Sequence, residues 1–251
     1  MAEHIVLAEM TWPEVEGATE DKKAVALVPL GATEARGPHL PLATATYLAI
    51  DAAKRCARKL KSHGVPAMVF PNISYSVSER AADFPGTLSL SRATAVAFLK
   101  DVAQAAGRNF RAVAFVNTHL DPAHLEVLKQ VVDESKKAGL SVCFIDLTRK
   151  RWAQQMGEVF RKGDHAGAFE TSAMMALNLP LVREHERISI PPMEGLVAAM
   201  KKGGKTFKEM GGEDAYFGDP GAATIEDGEA ILEQVAEICA VSVMEHLASK
   251  S

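Results

Sequence analysis

Glu34, Arg36 and His39 stand close together in VALVPLGATEARGPHLPLATATY, directly after a run of apolar residues. On extended backbone, side chains two residues apart project to the same side, so Glu34 and Arg36 can face one point in space. A second pair with the same spacing, His119 and Asp121 in NTHLDPAH, also follows an apolar run. Carboxylates and imidazoles are the side chains of acid–base catalysis and of metal ligation. His165, in GDHAGAFETS, adds an imidazole able to act as a ligand or as a general acid–base near neutral pH. His124, on the helix after His119, reads as a surface residue.

These groups converge only if the apolar runs are neighbouring strands. Ala24 to Leu30 and Ala112 to Val116 are uniformly apolar, as buried parallel strands are, and Ala67 to Phe70 and Leu140 to Ile145 complete a set of four. Helical patterns alternate with them: Thr46 to His63, closed by Gly64; Ser91, as a cap, to Gly107; and Pro122 to Lys137, ended by Gly139. A helix is also expected to start at Pro13. The alternation predicts right-handed βαβ units and a mostly parallel sheet covered on both faces, in one domain over residues 1–251. Ligands of such sheets bind where the loops leave the strands' carboxyl ends, which is where both polar pairs fall. The connection NISYSVSERAADFPGTLSL is long enough to suggest a function of its own.

Later in the chain, Trp152 to Phe160 reads as helical, GDHAGAFE as loop and Thr171 to Asn178 as a short helix. Residues 184–224 form a glycine-rich excursion, and Ile225 to Leu247 a final amphipathic helix. Met174 and Met175 read as core. Lys201, Lys202, Lys205 and Lys208 read as a solvated surface rather than an anion site. Trp152 and Phe84 can line a pocket or simply pack.

A formal net charge of -4 offers no basic surface for nucleic acid. Acidic residues interrupt the N-terminal apolar run, which fits neither a secretory signal nor a membrane span, so a cytoplasmic location is expected. Cys56, Cys143 and Cys239 lie far apart with no CxxC spacing, and read as buried hydrophobes. GATEARG lacks the lysine and the glycine spacing of phosphate and dinucleotide loops.

The segment PLGATEARGPHLPLAT resembles the signature of the creatininase (creatinine amidohydrolase) family. FPGTLSL, VNTHLDPAH, HAGAFETS and YFGDPGAATIEDG follow in the order and approximate spacing of that family's other blocks, so the resemblance covers about Ala24 to Glu237. It implies a three-layer α/β/α fold, frequently a hexamer, and a two-metal centre of zinc, manganese or iron that activates water to open an amide or lactam. By resemblance, Glu34 matches a metal-binding glutamate, His119 a metal-binding histidine, and Asp121 a metal-binding acid that is usually glutamate. His165 matches the histidine that assists proton transfer, and Glu170 the acid of the ETS block.

Two positions depart from that pattern. Arg36 replaces a ligand histidine, and Ala45, after Thr44, replaces the aspartate that bridges both metals. Arginine only donates hydrogen bonds and stays charged, and alanine has no donor atom. What remains is one divalent metal held by Glu34, His119 and Asp121, or no metal. In the second case the Arg36 guanidinium is expected to pair with Glu34 and Asp121 in the cation's stead.

Three functions are therefore in view. The first is a hydrolase of a carbon–nitrogen bond in a small cyclic amide, lactam or formamide. In it Asp121 or a metal-bound water activates the nucleophile, and His165 protonates the leaving nitrogen. The second is a catalytically inactive binding or structural subunit that keeps the fold and a homo-oligomeric assembly. The third is a changed reaction in which Arg36 binds a carboxylate or phosphate of the substrate. In every case the partner is a small molecule.

Overall fold

The structure is a computed structural model that describes residues 5–249. Four strands, β1 (Val25–Leu30), β2 (Ala67–Val69), β3 (Ala112–Asn117) and β4 (Val142–Phe144), form one parallel sheet in the order β2-β1-β3-β4. Ten helices accompany it among the described residues. The first five are α1 (Trp12–Thr19), α2 (Thr44–Ser62), α3 (Arg92–Gly107), α4 (Pro122–Lys137) and α5 (Lys150–Gln155). The others are α6 (Gly157–Lys162), α7 (Ala168–Asn178), α8 (Glu184–Ser189), α9 (Leu196–Lys201) and α10 (Ile225–Ala248).

Strand side chains alternate between faces, so a strand covered on both sides must be apolar throughout. In β1, Val25 and Leu27 pack with Ala53, Cys56 and Leu60 of α2 and with Ile238 and Val243 of α10. Ala26, Val28 and Leu30 pack on the other face with Leu99 of α3 and Leu128 and Val131 of α4. The two cores are the two interfaces of an α/β/α sandwich, as the alternation predicted. Cys56 and Cys239 lie inside the first core, and all three cysteines are free.

Local signals set most boundaries. Ser91 accepts the Thr94 N–H and caps α3, and Asp121 accepts the Ala123 N–H and caps α4. Gly64 and Gly139 take the left-handed conformation just beyond α2 and α4. The single helix expected over Trp152 to Phe160 is instead two, α5 and α6, because Gly157 adopts φ 90° between them. The excursion over residues 184–224 holds two short helices, α8 and α9. No helix of the described residues is long and apolar enough to cross a membrane.

The most intimate helix pair is α7 against α10. A Cβ on Gly228 of α10 would lie 2.0 Å from the Ser172 carbonyl oxygen of α7, so the helices meet backbone to backbone there. Glycine in a helix interior normally costs about 1 kcal/mol relative to alanine. Gly228→Ala is expected to reverse that sign and lower stability by roughly 1–3 kcal/mol through overpacking. Gly17→Ala in α1, where nothing lies within 4 Å, should be neutral or stabilising. Urea titration of both variants checks the contrast.

Candidate active site

Beyond Leu30 the β1 chain turns so tightly under α2 that a Cβ on Gly31 would lie 2.4 Å from the Thr46 backbone. The following loop is pinned on both sides. The Glu34 N–H donates to the Leu42 carbonyl, the Ala35 N–H to Thr87 Oγ1 and the Gly37 N–H to the Ala215 carbonyl. So held, Glu34 and Arg36 point to one place, as their spacing suggested, and Arg36 Nη2 donates to Glu34 Oε1 at 2.5 Å. Arg36 Nη1 donates to both carboxylate oxygens of Glu170, which α7 brings in from 134 residues away. Glu170 also accepts the Ala166 N–H. All three side chains are buried.

The pairing expected between Arg36 and Asp121 does not form. Asp121 commits Oδ1 to the Ala123 N–H as the cap of α4, while Glu170, at the start of α7, reaches the guanidinium instead. Both Nη atoms of Arg36 are thereby bound to carboxylates of the chain.

His119 leaves β3 beside this triplet. Its Nε2 lies 2.8 Å from the Val77 carbonyl oxygen, which only accepts, so Nε2 carries a proton. Nδ1 lies 3.3 Å from Glu34 Oε1, an ion-pair distance at an angle too poor for a hydrogen bond. Burial opposes charge on His119, but Glu34 outweighs it and raises its pKa. Burial likewise opposes charge on Glu34, and the His119 and Arg36 charges hold its carboxyl well below the usual range. Asp121 lines the same space, with a pKa raised by burial.

His165 Nε2 lies 3.1 Å from the Ala35 carbonyl oxygen, so this ring too carries its proton on Nε2 and leaves Nδ1 as an acceptor. Burial, then the Arg36 charge, lowers its pKa and keeps it neutral at pH 7. The Phe207 ring packs 4.3 Å from it, centroid to centroid. His124 is not at the surface. It is fully buried, 5.0 Å from the His119 ring, with neither nitrogen hydrogen-bonded, and burial followed by the His119 charge pushes its pKa well down.

These groups form the floor of a cavity of about 360 Å³ at the carboxyl ends of β1 and β3. Glu34, Arg36, His119, Asp121, His165 and Glu170 all line it. These six are thereby brought to one place, whereas His39 is not among the lining and is buried against Thr171. Trp152 and Phe84 pack rather than line it: Trp152 is buried beneath the Arg151 guanidinium, and Phe84 lies under the Lys208 ammonium. Three further charged residues of the lining, Arg80, Arg161 and Asp164, were not singled out in the sequence. Arg80 lies in the long connection after β2 whose length was the only signal. Asp164 precedes His165 and accepts backbone N–H bonds from Gly167, Phe169 and Glu170; burial, then Glu170, raises its pKa to about 7.

The donors do not fit the metal centre implied by resemblance. A hydrolytic ion needs about three protein ligands, and no group of three His, Cys, Asp or Glu side chains among the described residues surrounds one point. Arg36 holds the Glu34 oxygen, Asp121 is engaged as a helix cap, and buried Ala45 contributes only its carbonyl, to Thr118 Oγ1. The paired centre fails on the same grounds.

The fold and site together define a three-layer α/β/α protein with a charge-coupled cavity at the strand ends. A creatininase (creatinine amidohydrolase) family model matches residues 8–243, and the chain belongs to that family. It is 30% identical over 225 residues to a mycofactocin precursor peptide peptidase of Mycolicibacterium smegmatis, covering 85% of this chain and 82% of that one. It is 25% identical over 214 residues to a creatinine amidohydrolase of Pseudomonas putida, covering 77% and 82%. The solved structure of a manganese creatininase superposes with a TM-score of 0.73 at 24% identity, over 97% of this chain and 98% of the other.

Two outcomes follow from the buried charges. Arg36→Met leaves Glu34 and Glu170 together without their cation and should cost roughly 3–5 kcal/mol. Adding Glu34→Gln and Glu170→Gln should recover most of the loss in urea titrations. His39, fully buried with Nε2 3.0 Å from Thr171 Oγ1, has its pKa lowered to about 4 by burial. Below pH 6.5 the unfolded chain takes up this proton first, so stability present at neutral pH is lost as pH falls from 6.5 towards 4. The wild type should lose about 2 kcal/mol more than His39→Gln between pH 7 and pH 4.5.

Proposed function

We propose that this creatininase-family protein is a hydrolase of an amide carbon–nitrogen bond that works without a metal ion. One observation carries the reading: His165, neutral and with Nδ1 left as an acceptor, lines one cavity with Asp121. A water between them adds to the amide carbonyl carbon while His165 Nδ1 takes its proton. The carbon–nitrogen bond then breaks as the imidazolium returns that proton to the leaving nitrogen, and Asp121 orients the water through its carboxylate. Arg36 offsets one of the two charges of Glu34 and Glu170, which lessens the repulsion of the oxygen on which negative charge develops.

The relatives support amide chemistry and leave the size of the substrate open, since one is a peptide peptidase and another a creatinine amidohydrolase. Small cyclic amides and short peptides are both within this proposal. Exposed Leu42, Tyr47, Tyr75 and Leu88 supply apolar surface for the homo-oligomer that the family resemblance implies.

A second reading rests on the closed Arg36–Glu34–Glu170 triplet, which fills the expected cation position by itself. On that reading the chain is an inactive binding or structural subunit. Release of free amine from a panel of lactams, formamides and short peptides separates the two. Turnover that falls 10²–10⁴-fold in His165→Ala supports the hydrolase, with the acid limb of kcat/KM lying below pH 6.5. Absence of turnover in a folded protein, or a His165→Ala variant as fast as its parent, selects the inactive subunit.

A further inference from the structure

The charges around the cavity are unequally provided for. Each carboxylate of the lining has its own donors: Glu34 and Glu170 share Arg36, Asp121 holds the Ala123 N–H, and Asp164 holds three backbone N–H groups. Two guanidiniums in the same lining have no such partner. Arg80, in the 3₁₀ turn Glu79–Ala81, has its Nη1 buried with no hydrogen-bond partner; its charge is felt by Asp121, but no carboxylate among the described residues forms an ion pair with it. Arg161, at the end of α6, also lines the cavity without an ion pair among the described residues. A buried guanidinium nitrogen without an acceptor is costly, and a planar anion relieves that cost by bidentate hydrogen bonding.

The position of Arg80 is fixed independently of its side chain. Its carbonyl accepts the Phe207 N–H at 2.8 Å, which joins the turn to the loop whose Phe207 ring packs against His165. The remaining wall is apolar, built from Leu125, Phe160, Leu196, Val197 and Met200. The cavity thus offers an amide-directed floor at His165 and Asp121, unpaired positive charge at Arg80 and Arg161, and an apolar surface.

The geometry points to a substrate whose scissile amide lies next to a free carboxylate and an apolar side chain, with Arg80 holding the carboxylate. This rests on the hydrolase reading above and names its substrate class, an acylated apolar amino acid or the C-terminal residue of a short peptide. In hydrolysis the water oxygen stays on the acyl carbon, the nitrogen leaves with the added proton, and the carboxylate is unchanged.

Calorimetric titration of the full chain with N-acetyl-L-leucine and with uncharged N-acetyl-L-leucinamide tests it through binding alone. The acid should bind at least about tenfold tighter, as one charge-assisted pair predicts. Arg80→Gln, which removes no side-chain hydrogen bond among the described residues, should erase that preference, and Arg80→Lys should restore part of it. Glycyl-L-leucine, titrated in parallel, separates the peptide source from the acylated amino acid. Equal affinity for acid and amide, no binding of either, a preference that survives Arg80→Gln, or tighter binding of inorganic phosphate would each overturn the assignment. Free leucine released in parallel reactions keeps the two proposals apart. Carboxylate preference without turnover fails the hydrolase alone, and turnover of the amide without preference fails the assignment of Arg80 alone.

Discussion

Two carboxylates buried around one guanidinium set the terms for the rest of this site. Glu34 and Glu170 come from a loop and a helix 136 positions apart in the chain, and in a low-dielectric interior they repel each other unless a cation stands between them. Arg36 is that cation. By binding both, it ties the loop after β1 to the start of α7, and His165 is carried between them with its Nε2 on the Ala35 carbonyl. The triplet therefore positions the catalytic candidate as well as offsetting part of the negative charge of the floor.

The same electrostatics bear on Arg36 and Ala45, the two positions at which the family resemblance implies metal ligands. A divalent pair would bring four positive charges, and a guanidinium brings one. A third buried carboxylate at position 45 would meet no further cation, whereas Ala45 adds no charge to a place that is wholly buried. Arg36 and Ala45 are thus consistent as a pair: less positive charge at the centre, and one carboxylate fewer around it. His119 keeps its place beside Glu34 under this arrangement, its Nδ1 3.3 Å from a carboxylate that raises its pKa.

Around the triplet, two further guanidiniums, Arg80 and Arg161, line the cavity. The long connection after β2 carries Arg80 to the cavity and is itself held by the Ser76–Gly31 and Phe207–Arg80 hydrogen bonds. The long connection thus serves the site at two points, the Arg80 side chain in the lining and the Val77 carbonyl against His119 Nε2.

Much of the fold could be read from the chain by itself. The uninterrupted apolar runs of β1 and β3, the capping residues Ser91 and Asp121, and the glycines beyond α2 and α4 are local signals, and local sterics decide them. The spacing of Glu34 with Arg36 and of His119 with Asp121 likewise placed four groups at strand ends. What the chain could not show was the choice of partners. Glu170 rather than Asp121 meets Arg36, His124 turns into the interior beside His119, and Arg80 enters the cavity unpaired. Those outcomes depend on how α7, α4 and the long connection pack across the sheet, because the packing of elements distant in the chain, as of Glu170 on Arg36, leaves no periodicity or spacing in the sequence.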